Sequence, residues 1–248
     1  MWWVHGNEKT WVWVVQKFID SWRVPDRGEL VFIIANEQAI AENIRYIDQD
    51  LNRCFGIQNR GLWNERNLAK ELETYIQEAD YLLDIHNTTN PASEPFLICE
   101  YDSLCNLFDV DKSILWLDSL HPWWSDGYGN SIWCKSVCLE SWSIYDDLSS
   151  TIEWCEDQVL NFLKWVWNLT AEPTIYVPMR YHFTVQYITK IDFKPLAWIK
   201  DFQEFEKWVY IWKDGDENVV APFDGVCIFV YKKDSPNEEW FVYGRLVS

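Results

Sequence analysis

The chain has 248 residues with a formal net charge of −18, and 48% of its residues are hydrophobic. This length allows one large or two small domains with an apolar core, and the negative charge argues against nucleic acid or an anionic membrane as partner. The chain has no apolar run long enough to cross a membrane, no basic stretch typical of a signal peptide, and seven cysteines without a CxxC pair, so we expect a cytoplasmic protein with free thiols.

Strand and helix patterns alternate through the first 170 residues. Residues 30–35 and 81–85 are short continuous apolar runs, typical of buried parallel strands. Apolar residues at helical spacing predict an amphipathic helix over about 62–79. The pattern also predicts helices over about 8–21 and 149–164 and strands over 96–99 and 135–139. The prediction is therefore an α/β domain over residues 1–170 with a largely parallel sheet.

The pattern changes near Glu172 and Pro173. Beyond them, Tyr181, Phe183 and Val185 alternate with polar residues at the period of a half-buried strand. We therefore expect a small all-β domain over residues 171–248.

Tryptophan is unusually abundant and glycine unusually scarce, with 18 and nine residues respectively. Many of the tryptophans lie in turn-like sequence, where glycine is the usual residue. We therefore hypothesise that many are glycines whose UGA codons were read as tryptophan. The candidates chosen from local sequence are Trp22, Trp123, Trp124, Trp142, Trp165 and Trp212. The alternative is a genuinely tryptophan-rich binding module that stacks ligands on its indoles.

His5, Glu8 and His86 form a candidate metal site. His5 and Glu8 can reach one ion if they flank a strand-to-helix turn, and His86 ends a predicted strand, where α/β sheets place their sites. Two histidines and one glutamate with an open fourth position are a known ligand set of catalytic zinc. Taken alone, a histidine at a strand end is more often structural.

Three motifs occur in order around these residues: HGNE at 5–8, RYIDQDLNRCF at 45–55 and DIHNTT at 84–89. They resemble the motifs of the succinylglutamate desuccinylase and aspartoacylase family, zinc-dependent amidohydrolases related to the metallocarboxypeptidases. The resemblance covers at least residues 3–142. It implies a carboxypeptidase-like, mixed but mostly parallel sheet flanked by helices, with a small C-terminal β domain. It also implies one zinc ion per chain, held by His5, Glu8 and His86.

The resemblance implies further roles within the same motifs. Arg45 matches the arginine that polarises the scissile carbonyl, and Asn52 and Arg53 match the pair that holds the substrate's α-carboxylate. Asp50 is expected to orient one of these arginines. Glu140 matches the catalytic glutamate.

The chain departs from the family pattern in several places. Trp3, Trp11 and Trp142 stand where family members tend to have glycine. Only four residues precede His5, so we expect the first strand to be truncated. Residues 126–139 contain no arginine to match the one with which animal aspartoacylases bind a side-chain carboxylate, and the match of Tyr243 to a substrate-binding tyrosine is poor.

The leading functional hypothesis is hydrolysis of a small N-acyl amino acid to a carboxylate and a free amine. The alternatives are a zinc carboxypeptidase acting on short peptides, the tryptophan-rich binding module and an inactive family member. The sequence does not predict the acyl group, the amino acid or the oligomeric state.

Overall fold

The computed structural model describes residues 2–3, 5–21, 27–57, 63–91, 93–167, 171–188, 190, 193–195, 199–229 and 239–247. Its helices lie mostly in the first two thirds of the chain. Two short 3-10 helices occur at Leu51–Arg53 and Leu117–Ser119. The α-helices are α1 (Thr10–Asp20), α2 (Glu37–Glu42), α3 (Asn64–Glu78), α4 (Asp102–Cys105), α5 (Ser125–Ser131) and α6 (Leu148–Trp167).

The strands run through the whole chain. The first seven are β1 (Trp2–Trp3), β2 (Ile33–Ile34), β3 (Tyr81–Asn87), β4 (Phe96–Cys99), β5 (Lys112–Leu115), β6 (Lys135–Ser141) and β7 (Met179–Ile188). The remaining strands are β8 (Phe193–Pro195), β9 (Gln203–Phe205), β10 (Tyr210–Asp214), β11 (Glu217–Val220), β12 (Gly225–Ile228) and β13 (Glu239–Leu246).

The main sheet has ten strands in the order β2-β1-β3-β6-β4-β5-β7-β13-β12-β9. Five of its neighbouring pairs are parallel. The other four pairs are antiparallel: β6–β4, β7–β13, β13–β12 and β12–β9. A separate antiparallel sheet has the order β11-β10-β8. The predicted mixed α/β fold with a smaller β region is therefore confirmed.

Strand β3 separates two parts of the core because its side chains alternate between the two faces of the sheet. Leu83 and Ile85 pack with residues of α1 and α6 on one face. Leu82 packs with α3 residues on the other face. Asp84 and His86 have the same parity as Leu82, so they share its face.

The predicted elements of the first 170 residues are present; β4 has the predicted ends, and the others have shifted ends. The strand expected over 30–35 is only two residues long, because the chain pairs with β1 only at Ile33–Ile34. Strands β3 and β6 run two residues further than predicted, and these extra residues carry His86 and Glu140. The domain boundary near residue 171 stays a prediction. Strand β7, which follows it, belongs to the main sheet.

Two predictions drawn from composition can be compared with the fold. All seven cysteines are buried free thiols, as expected. No helix in the described ranges is long and apolar enough to cross a membrane.

The tryptophans with left-handed backbone conformation differ from those chosen on local sequence. Trp22 lies outside the described residues. None of the other five candidates is among the described residues with positive φ, and Trp124 and Trp212 are buried. Three other tryptophans combine positive φ with strong exposure of the side chain: Trp116 (56%), Trp133 (91%) and Trp208 (69%).

Candidate metal centre and active site

His5, Glu8 and His86 converge at one point, and all three are buried. His5 Nδ1 is 2.7 Å from Glu8 Oε1, and His86 Nδ1 is 3.2 Å from Glu8 Oε2. The two Nδ1 atoms are 3.1 Å apart. Ligand atoms about 2.0–2.2 Å from one tetrahedral zinc ion are roughly 3.4 Å from one another. The spacing and chemistry of these three donors therefore fit a metal ion.

The turn that carries His5 and Glu8 depends on Gly6. A Cβ atom at Gly6 would lie 2.2 Å from the backbone carbon of Ala39, so any larger residue would clash with α2. Gly6 N also donates to Arg45 O at 3.2 Å. This close packing holds the first two candidate ligands against the segment that supplies Arg45.

A carboxylate lies next to the second ring nitrogen of each histidine. His5 Nε2 is 2.9 Å from Asp50 Oδ1, and His86 Nε2 is 3.2 Å from Asp84 Oδ2. Such partners fix the orientation of metal-binding imidazoles and direct the opposite nitrogen toward the ion.

The buried carboxylates and imidazoles stabilise each other's charged forms. Burial alone raises the pKa of Glu8, but the neighbouring His5 and His86 outweigh it and hold the pKa well below its usual range. Burial alone lowers the pKa of His86, but Asp84 and Glu8 outweigh it and raise the pKa. Glu8 is therefore ionised, as a ligand carboxylate must be.

Arg45 and Asp50 connect this centre to the rest of the cavity. Arg45 Nε donates to Asp50 Oδ2 at 3.2 Å, and Arg45 Nη1 donates to Glu8 Oε1 at 3.3 Å. Burial opposes ionisation of Asp50, but Arg45 and His5 hold its pKa well below the usual value. The expectation that Asp50 orients an arginine agrees with this geometry.

Asn52 and Arg53 lie on the same short 3-10 helix. Asn52 Oδ1 accepts from Ser125 N at 2.9 Å, which makes its NH₂ group the end that can donate to a substrate. Arg53 Nη1 donates to the backbone oxygen of Asn52 at 3.0 Å. The guanidinium carbon of Arg53 lies 5.0 Å from the centre of the Trp124 ring.

Glu140 lies beside the histidine–glutamate cluster because of strand register. In the parallel pair β3–β6, Glu140 is opposite His86. Burial raises the pKa of Glu140 to about 7, with Glu8 acting in the same direction and His86 against it. A carboxyl group that titrates near neutrality can both accept and donate a proton.

One cavity of about 110 Å³ is lined by all seven residues selected from the sequence. They are His5, Glu8, Arg45, Asn52, Arg53, His86 and Glu140. Their roles remain predictions. Tyr243 is not among the described lining residues; its hydroxyl donates to Phe223 O at 3.1 Å in the C-terminal β region.

Two aromatic lining residues were not selected as site residues from the sequence. Trp124 precedes α5, and Phe229 follows β12. Phe229 is far from the three motifs in sequence, and no local pattern marks it as a site residue. Trp124 was considered only as a candidate misread glycine.

Comparisons with known proteins agree with these observations. The family model described as the succinylglutamate desuccinylase/aspartoacylase catalytic domain matches residues 4–114. A probable aspartoacylase of Acaryochloris marina is 38% identical over 95 residues, which are 34% of this chain and 32% of the relative. One of Trichodesmium erythraeum is 32% identical over 129 residues, which are 48% and 42% of the two chains. The matched segments thus span less than half of these relatives.

The similarity of fold extends further than the sequence matches. The crystal structure of succinylglutamate desuccinylase from Vibrio cholerae superimposes with a TM-score of 0.79 at 16% identity, covering 100% of this chain and 81% of that one. The enzyme of the same name from Vibrio parahaemolyticus gives 0.79 at 14% identity, with the same coverage. At these identities the likeness establishes the fold.

Proposed function

Because the chain belongs to the succinylglutamate desuccinylase/aspartoacylase family, we propose that it is a zinc-dependent deacylase of small N-acyl amino acids. The observation that carries this proposal is the convergence of His5, Glu8 and His86 in a cavity that also contains Glu140. Water would cleave the amide, giving a carboxylate from the acyl group and a free amine on the amino acid.

His5, Glu8 and His86 are the residues that would hold the metal. A zinc ion bound there would polarise the acyl oxygen and make a nearby water molecule more acidic. Asp50 and Asp84 would keep the two imidazoles oriented.

Glu140 would move the proton. With a pKa raised to about 7, it can take a proton from the attacking water and later donate it to the leaving nitrogen. Arg45 would donate hydrogen bonds to the acyl oxygen as negative charge develops on it. Its contacts with Glu8 and Asp50 support this role, because they bring its guanidinium close to the proposed metal ligands.

Asn52 and Arg53 would bind the α-carboxylate of the amino acid. An arginine guanidinium is a planar, permanently charged donor that suits a carboxylate, and the NH₂ group of Asn52 adds a neutral donor. The arrangement would orient the scissile amide toward Glu140 and Arg45.

The size of the cavity favours this reaction over peptide cleavage. Its volume is about 110 Å³, and the matched family model is that of deacylases. A carboxypeptidase therefore remains the less favoured alternative. A tryptophan-rich binding module receives no support, because Trp124 is the one tryptophan among the described lining residues. Action in the cytoplasm, without nucleic acid or membrane as partner, is proposed from composition alone.

The test is a measurement of metal content and hydrolysis on the purified protein. We expect about one zinc ion per chain and release of free amino acid from N-acetyl or N-succinyl amino acids. Glu140→Gln should retain zinc but lose turnover by roughly 100-fold or more. His86→Ala should lose both. A protein that binds no zinc, or whose Glu140→Gln variant is fully active, would contradict the proposal.

A further inference from the structure

Trp124 and Phe229 form an aromatic wall of the active-site cavity. Their rings meet edge to face, with centroids 6.1 Å apart at an interplanar angle of 75°. The Trp124 ring also stacks on His121, with ring centroids 4.1 Å apart and an interplanar angle of 5°. Trp124 has an ordinary extended backbone conformation and is 6% exposed, although its indole N–H has no hydrogen-bond partner among the described residues.

The C-terminal β region holds Phe229 in this wall. Phe229 has φ of 59°, an uncommon conformation for a bulky residue. Its N–H donates to Asp201 Oδ1 at 2.8 Å, and its ring also contacts Phe96 at 5.8 Å. These contacts stabilise the strained backbone of Phe229, and this conformation places its apolar ring at the cavity.

The aromatic wall adjoins the group proposed to bind the α-carboxylate. Arg53 lies over the Trp124 ring at 5.0 Å. A carboxylate held by Arg53 would therefore place the neighbouring Cα and its side chain close to Trp124. The amino-acid side chain would meet carbon atoms on that side of the cavity.

The charges lining the cavity leave little provision for a second carboxylate. Arg45 and Arg53 are the permanently charged cations among the described lining residues, and Arg45 is bound to Glu8 and Asp50. Glu8 adds negative charge. A buried carboxylate without a cationic partner is costly, whereas an apolar side chain against two aromatic rings gains burial.

Building on the proposed deacylase function, we propose that the substrate carries one carboxylate and a small uncharged side chain, which packs on Trp124 and Phe229. Dicarboxylic N-acyl amino acids would be poor substrates. The modest volume of the cavity, about 110 Å³, is the reason for expecting a small side chain. Phe229 is thereby assigned as a specificity-determining residue contributed by the C-terminal β region.

N-acetylvaline and N-acetylaspartate provide a matched pair of substrates, since their side chains are similar in size and differ in charge. We expect kcat/KM of the zinc-loaded protein to be at least roughly tenfold higher for N-acetylvaline, the scale of discrimination by an apolar pocket. Phe229→Ala should reduce this ratio, and Phe229→Leu, which keeps an apolar side chain, should largely preserve it. Phe205→Ala, in the same β region but outside the described cavity lining, should leave the ratio unchanged.

The outcomes separate the two proposals. Equal or faster hydrolysis of N-acetylaspartate overturns the specificity inference and leaves the deacylase function intact. An unchanged ratio in a folded Phe229→Ala variant overturns the role of the aromatic wall. Failure of the zinc-loaded protein to hydrolyse either substrate or N-succinylglutamate contradicts the deacylase function itself and, with it, this inference.

Discussion

Asp84 and His86 lie two residues apart on β3, and Asp84 Oδ2 is 3.2 Å from His86 Nε2. Alternate residues of a strand face the same side of a sheet, so the D-x-H spacing alone places the carboxylate beside the imidazole. His86 Nδ1 is directed to Glu8 on the other side of the ring. The two ring nitrogens are thus divided between the candidate metal site and a buried aspartate.

We expect Asp84→Asn to weaken zinc binding while retaining the volume of the side chain. Loss of a carboxylate that orients a metal-binding histidine typically reduces affinity roughly 10- to 100-fold. Competition with a chromogenic chelator would measure the change, with thermal unfolding as a check on folding. Asp20→Asn, on the exposed end of α1, serves as the control. Unchanged affinity in a folded Asp84→Asn protein would contradict the orienting role.

Arg53→Ala should raise KM far more than it lowers kcat. Its proposed contact with the α-carboxylate is present before the reaction as well as during it, so its loss weakens substrate binding. A charge-assisted hydrogen bond contributes about 1.5–3 kcal/mol, which corresponds to a change in KM of roughly 10- to 150-fold. Steady-state kinetics would measure this, with the exposed Arg27→Ala as control. A large fall in kcat at unchanged KM would instead place Arg53 in the chemical step.

The composition of the site was predicted from the resemblance to the family motifs, and the fold brings the residues together. His86 and Glu140 end neighbouring parallel strands, and the register of β3 and β6 makes them partners. Gly6 permits the close approach to α2 that holds the segment carrying His5 and Glu8 in place. The rule that the ends of parallel strands form sites indicated His86 from the sequence, whereas Glu140 followed from the resemblance and from the pairing of two strands that are distant in sequence.

The aromatic wall could not be predicted in the same way. Phe229 reaches the cavity because β12, β13 and β7 pair in one sheet. Its backbone N–H also donates a hydrogen bond to Asp201. A period-two pattern identifies a strand but not its partners. For the same reason the sequence did not show that β7 extends the main sheet.

The pH dependence of stability should identify Glu140 as a carboxyl group with a raised pKa. The folded metal-free protein holds the Glu140 proton up to about pH 7, whereas the unfolded chain releases it near the usual value of 4.5. Its contribution to stability is therefore present at low pH and is lost as the pH rises through 7. Relative to wild type, Glu140→Gln should gain stability at about pH 8 and little at about pH 5.

Thermal unfolding in the presence of a chelator would measure this difference at both pH values. Glu153→Gln, on helix α6, provides a matched control that should show no such trend. A constant difference between wild type and Glu140→Gln across this range would contradict the raised pKa.

The codon hypothesis makes its sharpest prediction at Trp116, Trp133 and Trp208. Each has positive φ, which disfavours a bulky side chain but suits glycine, and each exposes more than half of its side chain. Phe202 and Phe229 also have positive φ, but both pack against the core. Packing can therefore offset the strain in the two phenylalanines, whereas the exposed tryptophans make limited contacts, such as those of Trp116 with His182 and of Trp208 with Lys207. We expect UGA codons at these three positions.

Replacing these three residues by glycine tests the same idea on the protein. A left-handed conformation costs a residue with a Cβ atom about 1–2 kcal/mol, so the triple glycine variant should unfold at a higher temperature than the chain as written. Trp124→Gly is the matched control: the Trp124 backbone is extended, and its ring packs on His121 and Phe229, so this change should lower the unfolding temperature. UGG codons at positions 116, 133 and 208, together with a destabilised triple variant, would show that these indoles belong to the protein.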